Sequence, residues 1–119
     1  MPCLTHQQSS RGGARVRASG PEAFRAEVAY WVKRLRVRPR SVRVQKMTRK
    51  WGSCSAAGTV TFATALLAEP AEFRTYVIVH ELLHLRVPNH GRLFKSYLGA
   101  YVPGYQRYWT DADGLRDAC

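Results

Sequence analysis

The sequence predicts a compact α+β domain with an N-terminal helix, a small antiparallel or mixed sheet, and two C-terminal helices. Three patterns carry that prediction. Phe24, Val28, Trp31, Val32 and Leu35 recur at helical spacing and form one apolar stripe. Ser41 to Met47 and Thr59 to Thr64 alternate with the period of two that half-buried strands require. From Phe73 to Leu85 apolar residues fall on nearly every face, as in a helix buried on most sides.

In chain order, Gly20-Pro21-Glu22 opens the first helix, with proline at the first helical position and an acid in the first turn. Pro39 closes that unit. Val42 and Val44 then face inward and Arg43 outward. Trp-Gly-Ser-Cys follows at 51–54, where Gly52 permits a close backbone approach or a positive φ, and Trp51 is expected to cover one side of the buried helix. Ala56-Ala57-Gly58 turns the chain into the strand from Thr59, a hairpin partner. Glu69-Pro70 starts the buried helix. A last helix, expected from about His90 to Tyr101, packs Leu93, Phe94, Tyr97 and Leu98, and Pro103 ends it. Tyr105, Tyr108 and Trp109 are expected to dock back on the core. Residues 1–20 read as a flexible basic tail, 21–110 as the folded domain, and 111–119 as a frayed tail.

The buried helix carries His80-Glu81-Leu82-Leu83-His84, an H-E-x-x-H set. Positions i and i+4 share a face, so the two imidazoles can converge on one ion. Glu81 lies about 100° round the helix from His80, within reach of a water on that ion. A catalytic zinc takes three protein ligands and leaves one position open. No Glu follows Glu81, and the later acids Asp111, Asp113 and Asp117 fall in the polar tail. His90 remains, six residues after His84, the spacing of H-E-x-x-H-x-x-G-x-x-H with Val87 in place of the glycine. Pro88 stops the helix, and Asn89 can cap the next one and return His90 to the ion. The plain alternative is that His80 and His84 are two core histidines.

Two separated stretches, TRKWGSCSAAGTVTFATALL and YVIVHELLHLRVPNHGRLF, resemble the YgjP-like metallopeptidases, a zincin-like family related to SprT-like proteases. The resemblance runs from about Pro21 to Trp109. It implies a zincin-type core with His80, His84 and His90 holding one Zn2+ per chain and Glu81 as general base. It also implies hydrolysis of peptide bonds, with a peptide or protein substrate. In zincins an extended substrate adds to a strand beside the cleft. The expected strand here runs from Thr59 to Ala65, with Thr61-Phe62-Ala63-Thr64-Ala65 where the family pattern reads S-L-N-W-R. Thr59, Thr61 and Ala63 are therefore the candidate substrate contacts. Tyr97, Tyr101 and Arg92 are all candidates for stabilising an oxyanion.

Charge supplies a second theme. The chain of 119 residues has 19 basic and 8 acidic side chains, a net charge of +11. Lys33 to Lys50 contains nine cations and no acid. Arg36, Arg38, Arg40 and Arg43 make this run a candidate polyanion surface, open to non-specific nucleic acid. A solvated Arg-rich face accounts for the same residues. Two alternative functions follow: a metal-dependent nucleotide pyrophosphohydrolase, or a basic nucleic-acid module with a non-catalytic zinc. Cys3, Cys54 and Cys119 are odd in number and scattered, which is no disulfide framework. No 18-residue apolar run and no secretory apolar segment occurs, so the expected setting is cytoplasmic, with no membrane partner.

Overall fold

Helix α1 (Pro21–Leu35) begins as its sequence dictates, with Pro21 at its first position and Glu22 in its first turn. A computed structural model describes residues 20–109; the two expected tails, Cys3, His6 and Cys119 among them, lie outside these apart from Gly20. Arg36 ends α1 in the left-handed region, φ 58°, and its N–H reaches the Lys33 carbonyl at 3.3 Å. The apolar stripe buries Phe24, Val28 and Leu35, while Trp31 and Val32 are half-buried against the same core.

Three strands follow: β1 (Ser41–Gln45), β2 (Gly52–Cys54) and β3 (Thr59–Ala63). Their order is β1-β3-β2. β1 runs parallel to β3, with Ser41 opposite Thr59 and Gln45 opposite Ala63. β2 runs antiparallel, with Gly52 opposite Phe62 and Cys54 opposite Val60. The sheet is therefore mixed, and β3 is its central strand. Burial agrees: Val60 to Ala63 are buried in succession, and Phe62 meets Phe24 of α1 edge-on at 5.4 Å. The β2–β3 turn closes with Gly58 N–H on the Ser55 carbonyl at 3.0 Å. Gly58 sits at φ 97°, a backbone conformation that glycine adopts without steric penalty.

A 3₁₀ turn (Thr64–Ala68) plugs Leu66 into the core and leads to α2 (Ala71–Leu83). From Phe73 to Leu83 every residue of α2 except Thr75 is buried. The helix packs on α1 and lies along β2. One of its buried residues is a cation. Arg74 donates to both Glu27 carboxylate oxygens, at 3.0 and 2.8 Å, and to the Glu69 carbonyl at 2.7 Å. This fork compensates the burial of charge and ties α2 to α1.

Helix α3 (Arg92–Tyr101) starts two residues later than the sequence implied. Phe94 and Leu98 are fully buried, but Leu93 is 58% exposed, contrary to its expected place in the core. The reason is angular: Phe94 and Leu98 are one turn apart, and Leu93 lies about 100° off that line. Gly104, at φ 83°, then turns the chain so that Tyr105 and Tyr108 return to the core.

Truncating Glu27 should expose the worth of the Arg74 fork. Glu27→Ala should destabilise the fold by about 2–4 kcal/mol, because it removes the counter-charge from a buried guanidinium. A urea midpoint unchanged from wild type would show that Arg74 does not depend on the Glu27 carboxylate.

Candidate metal centre

The H-E-x-x-H set falls at the C-terminal end of α2. His80 and Glu81 are fully buried and His84 is 8% exposed. The helix does not stop abruptly after Leu83. The N–H groups of Leu85 and Arg86 fold back on the Leu82 and Leu83 carbonyls at 3.0 and 2.9 Å, tightening the last turn. Pro88 then diverts the chain. Asn89 does act as a local cap, though not of the helix: its Oδ1 accepts the Gly91 N–H at 3.0 Å, and Gly91 occupies the N-cap of α3. This asparagine turn, rather than the first turn of a helix, presents His90.

The result is a convergence of three imidazoles. His90 Nε2 lies 3.2 Å from His80 Nε2 and 3.0 Å from His84 Nε2. All three ligand-capable nitrogens fall within 4.8 Å of one another. Nitrogens about 2.0–2.1 Å from a tetrahedral zinc stand roughly 3.3–3.4 Å apart, so the two separations from His90 are those that sharing one ion requires, to within a few tenths of an ångström. His84 Nδ1 sits 3.3 Å from the Val87 carbonyl. A proton on that nitrogen donates to the carbonyl and leaves the Nε2 lone pair facing its two neighbours.

Aromatic rings hold the imidazoles in place. Phe94 stacks on His84 with centroids 4.7 Å apart and meets His80 and His90 at 5.1 Å each. Trp109 covers His90 at 5.2 Å and His80 at 5.5 Å, and Tyr76 borders His80 at 5.6 Å. Sequence reading assigned Phe94 and Trp109 to the core without linking either to the histidines. Only Phe94, four residues after His90, gave a local signal. Burial pushes all three histidines below their ordinary pKa, with the neighbouring histidines adding to it for His80 and His84; His84 falls to about 4. Lys95 is the second cause at His90. All three are thus neutral near pH 7, the state in which imidazole binds a metal.

Glu81 extends toward β2 rather than toward the imidazole cluster's aromatic wall. Its Cγ and Cδ lie against the space above Gly52. β2 is thereby seated on the helix one residue from His80. A cleft opens at each end of this strand. One, of about 140 Å³, lies between Cys54, Ser55, Ala56, His84 and Pro88. The other, of about 170 Å³, is lined by Met47, Thr48, Arg49, Lys50, Trp51, Ala63 and Ala65. Trp51 is half-buried, edge-on to Phe73 at 5.2 Å, so it covers the start of α2 rather than the histidine-bearing end.

The expected substrate strand needs correction. Thr59, Thr61 and Ala63 belong to β3, which is paired to β1 on one side and β2 on the other. Strand addition needs an open edge, and β3 has none; Thr61 and Ala63 are also buried. Among the described residues, the edge strand beside Glu81 is β2. Among the oxyanion candidates, Tyr97 lies under the Arg86 guanidinium at 5.5 Å and Tyr101 packs on Trp31 at 6.1 Å. Neither ring touches the histidines, and Arg92 is exposed. Arg36, Arg38, Arg40 and Arg43 are all exposed. Among the described residues no helix is long and apolar enough to cross a membrane.

The lowered histidine pKa values give a signed prediction. In the unfolded chain these groups take up protons near pH 6.5, whereas the folded protein resists protonation until lower pH. The His84 contribution to metal-free stability is full above about 6.5 and is lost as pH falls toward about 4, and His80 and His90 act in the same direction. The urea midpoint of chelator-treated protein should therefore drop steadily between these limits. A midpoint independent of pH would contradict the burial of the cluster.

Comparison with known proteins places this arrangement. The sequence profile described as the YgjP-like metallopeptidase domain matches residues 9–111. Among solved structures, the chain is similar to the metallopeptidase zymogen of Pyrococcus abyssi abylysin, with 22% identity and a TM-score of 0.63. That match covers 71% of this chain and 86% of the other. It is also similar to the metallopeptidase zymogen of Methanocaldococcus jannaschii jannalysin, with 20% identity and a TM-score of 0.59, over 78% of this chain and 88% of that one. At such identities the likeness speaks for the fold alone. A search of curated proteins finds no match. The profile covers most of the chain, including the whole histidine cluster, and the chain belongs to the YgjP-like metallopeptidase family.

Proposed function

We propose that this protein is a zinc-dependent metallopeptidase in which His80, His84 and His90 hold the ion and Glu81 is the general base. The observation that carries the reading is the convergence of three neutral imidazoles, His90 Nε2 lying 3.2 Å from that of His80 and 3.0 Å from that of His84, beside the buried Glu81 carboxylate. Zinc, when bound, supplies a polarised substrate carbonyl and a water acidified to a pKa of about 7. Glu81 takes the proton from the attacking water as the carbonyl carbon is attacked. It returns that proton to the departing amine as the peptide C–N bond breaks. Phe94 and Trp109 keep bulk water from the imidazoles and hold their rings in register. An extended peptide lies along the outer edge of β2, where main-chain groups supply affinity without demanding particular side chains.

The exposed Arg36, Arg38, Arg40 and Arg43 form a second, independent surface that attracts polyanions by charge alone. Neutralising the four should leave cleavage of a short neutral peptide intact. It should lessen the salt dependence of generic DNA binding by roughly one log–log unit per phosphate contact removed. Absence of binding by the wild type at about 50 mM salt would reduce the run to a solvated face.

Glu81→Gln separates the catalytic reading from its alternatives. The variant should fold and retain about one zinc per chain, since the three histidines are untouched. Peptide hydrolysis, followed by mass spectrometry on casein, should fall by roughly 10²–10⁴-fold. Activity that survives the substitution would rule out Glu81 as base. Cleavage of UTP with casein left whole would favour nucleotide hydrolysis instead.

A further inference from the structure

A glycine is required for one of two reasons: a positive φ or a lack of space. Among the described glycines only Gly58 and Gly104 have positive φ, so Gly52 does not serve backbone conformation. Space is the issue. A Cβ placed on Gly52 would stand 2.8 Å from Glu81 Cγ, 3.3 Å from Glu81 Cδ and 3.2 Å from the Thr61 carbonyl oxygen. Carbon atoms pack best at about 3.5–4.0 Å, so the first contact is a collision. Other glycines are looser: Gly20 has open space around it, and a Cβ on Gly99 would meet Tyr105 at an ordinary 3.5 Å.

We infer that Gly52 is a positioning residue: its missing side chain is the room in which the Glu81 side chain lies against β2. This deepens the metallopeptidase reading and rests on Glu81 being the base. Glu81 has little freedom to yield, because it and every neighbour from Tyr76 to His84 are buried. The Thr61 carbonyl of the adjacent β3 is a second group that a Cβ at position 52 would crowd, at 3.2 Å. Gly52 and Cys54 share the buried face of β2 while Ser53 is half-buried, so the face that meets Glu81 is fixed by strand alternation. A side chain at position 52 must either swing the carboxylate or lift the strand whose edge would take the substrate. Each outcome changes the spacing between base and substrate while leaving the three histidines where they are.

A double-mutant cycle on the zinc-loaded protein tests this. Gly52→Ala should lower Tm by roughly 5–10 °C. In a Glu81→Ala background the same change should cost less than half as much, because the colliding atoms are gone. Gly99→Ala, a helical position where a Cβ fits, should not lower Tm, since alanine is the better helix former, and controls for a general loss on filling a glycine. Zinc content of Gly52→Ala should stay near one per chain, while kcat falls by roughly 10²-fold with KM little altered. An equal Tm loss in both backgrounds would overturn the inference and assign the gap to the Thr61 carbonyl. Full kcat in Gly52→Ala would also overturn it. If Gly52→Ala is insoluble alone, recovery in the double mutant supports the contact and failure of both refutes it. A wild type that cleaves no peptide defeats the metallopeptidase reading, whereas the stability cycle still decides where the Glu81 side chain lies.

Discussion

The structure depends on the burial of α2. A helix enclosed on nearly all sides costs little where it carries Val77, Ile78, Val79 and Leu82, and much where it carries Arg74, His80 and Glu81. The arginine is compensated by a bidentate carboxylate from α1 and a main-chain carbonyl. The histidines are compensated by losing their charge, as their depressed pKa values record. That loss of charge is also what prepares three lone pairs for a cation. The same burial that defines the core therefore sets the protonation state of the site.

The third imidazole is delivered by chain geometry rather than by a helix. Tightened carbonyl contacts after Leu83, the diversion at Pro88 and the Asn89 turn are each local, weak features. Together they fold ten residues so that His90 returns to His80. Phe94, one turn into α3 and facing the same way, then packs against all three rings. Since His90 and Phe94 flank the start of α3, the packing of that helix on α2 also holds His90 against His80 and His84.

The sheet has a different task. Three strands are few, and the central one is entirely committed to its neighbours and to the core. What the sheet offers the site is β2, a strand of three residues, short as managed edge strands tend to be, seated on α2 at Glu81. The order β1-β3-β2 decides this, because it leaves β2 at the side of the sheet that borders the histidine-bearing helix.

By itself the sequence determined the α+β class, the stripe of α1, the near-total burial of α2 and the identity of the three histidines. Each is written in local periodicity or fixed spacing, which a helix converts directly into a shared face. The tertiary structure decided what no spacing encodes. Strand order is one such case: β3 follows β2 through a tight turn, yet β1 pairs with it from far along the chain, so Thr59, Thr61 and Ala63 became interior. Trp109 is another, nineteen residues from His90 and brought over it only by the turn at Gly104. Gly52 is the last. Its strand and Glu81 lie on separate elements, and the need for an absent side chain arises only where those two surfaces meet.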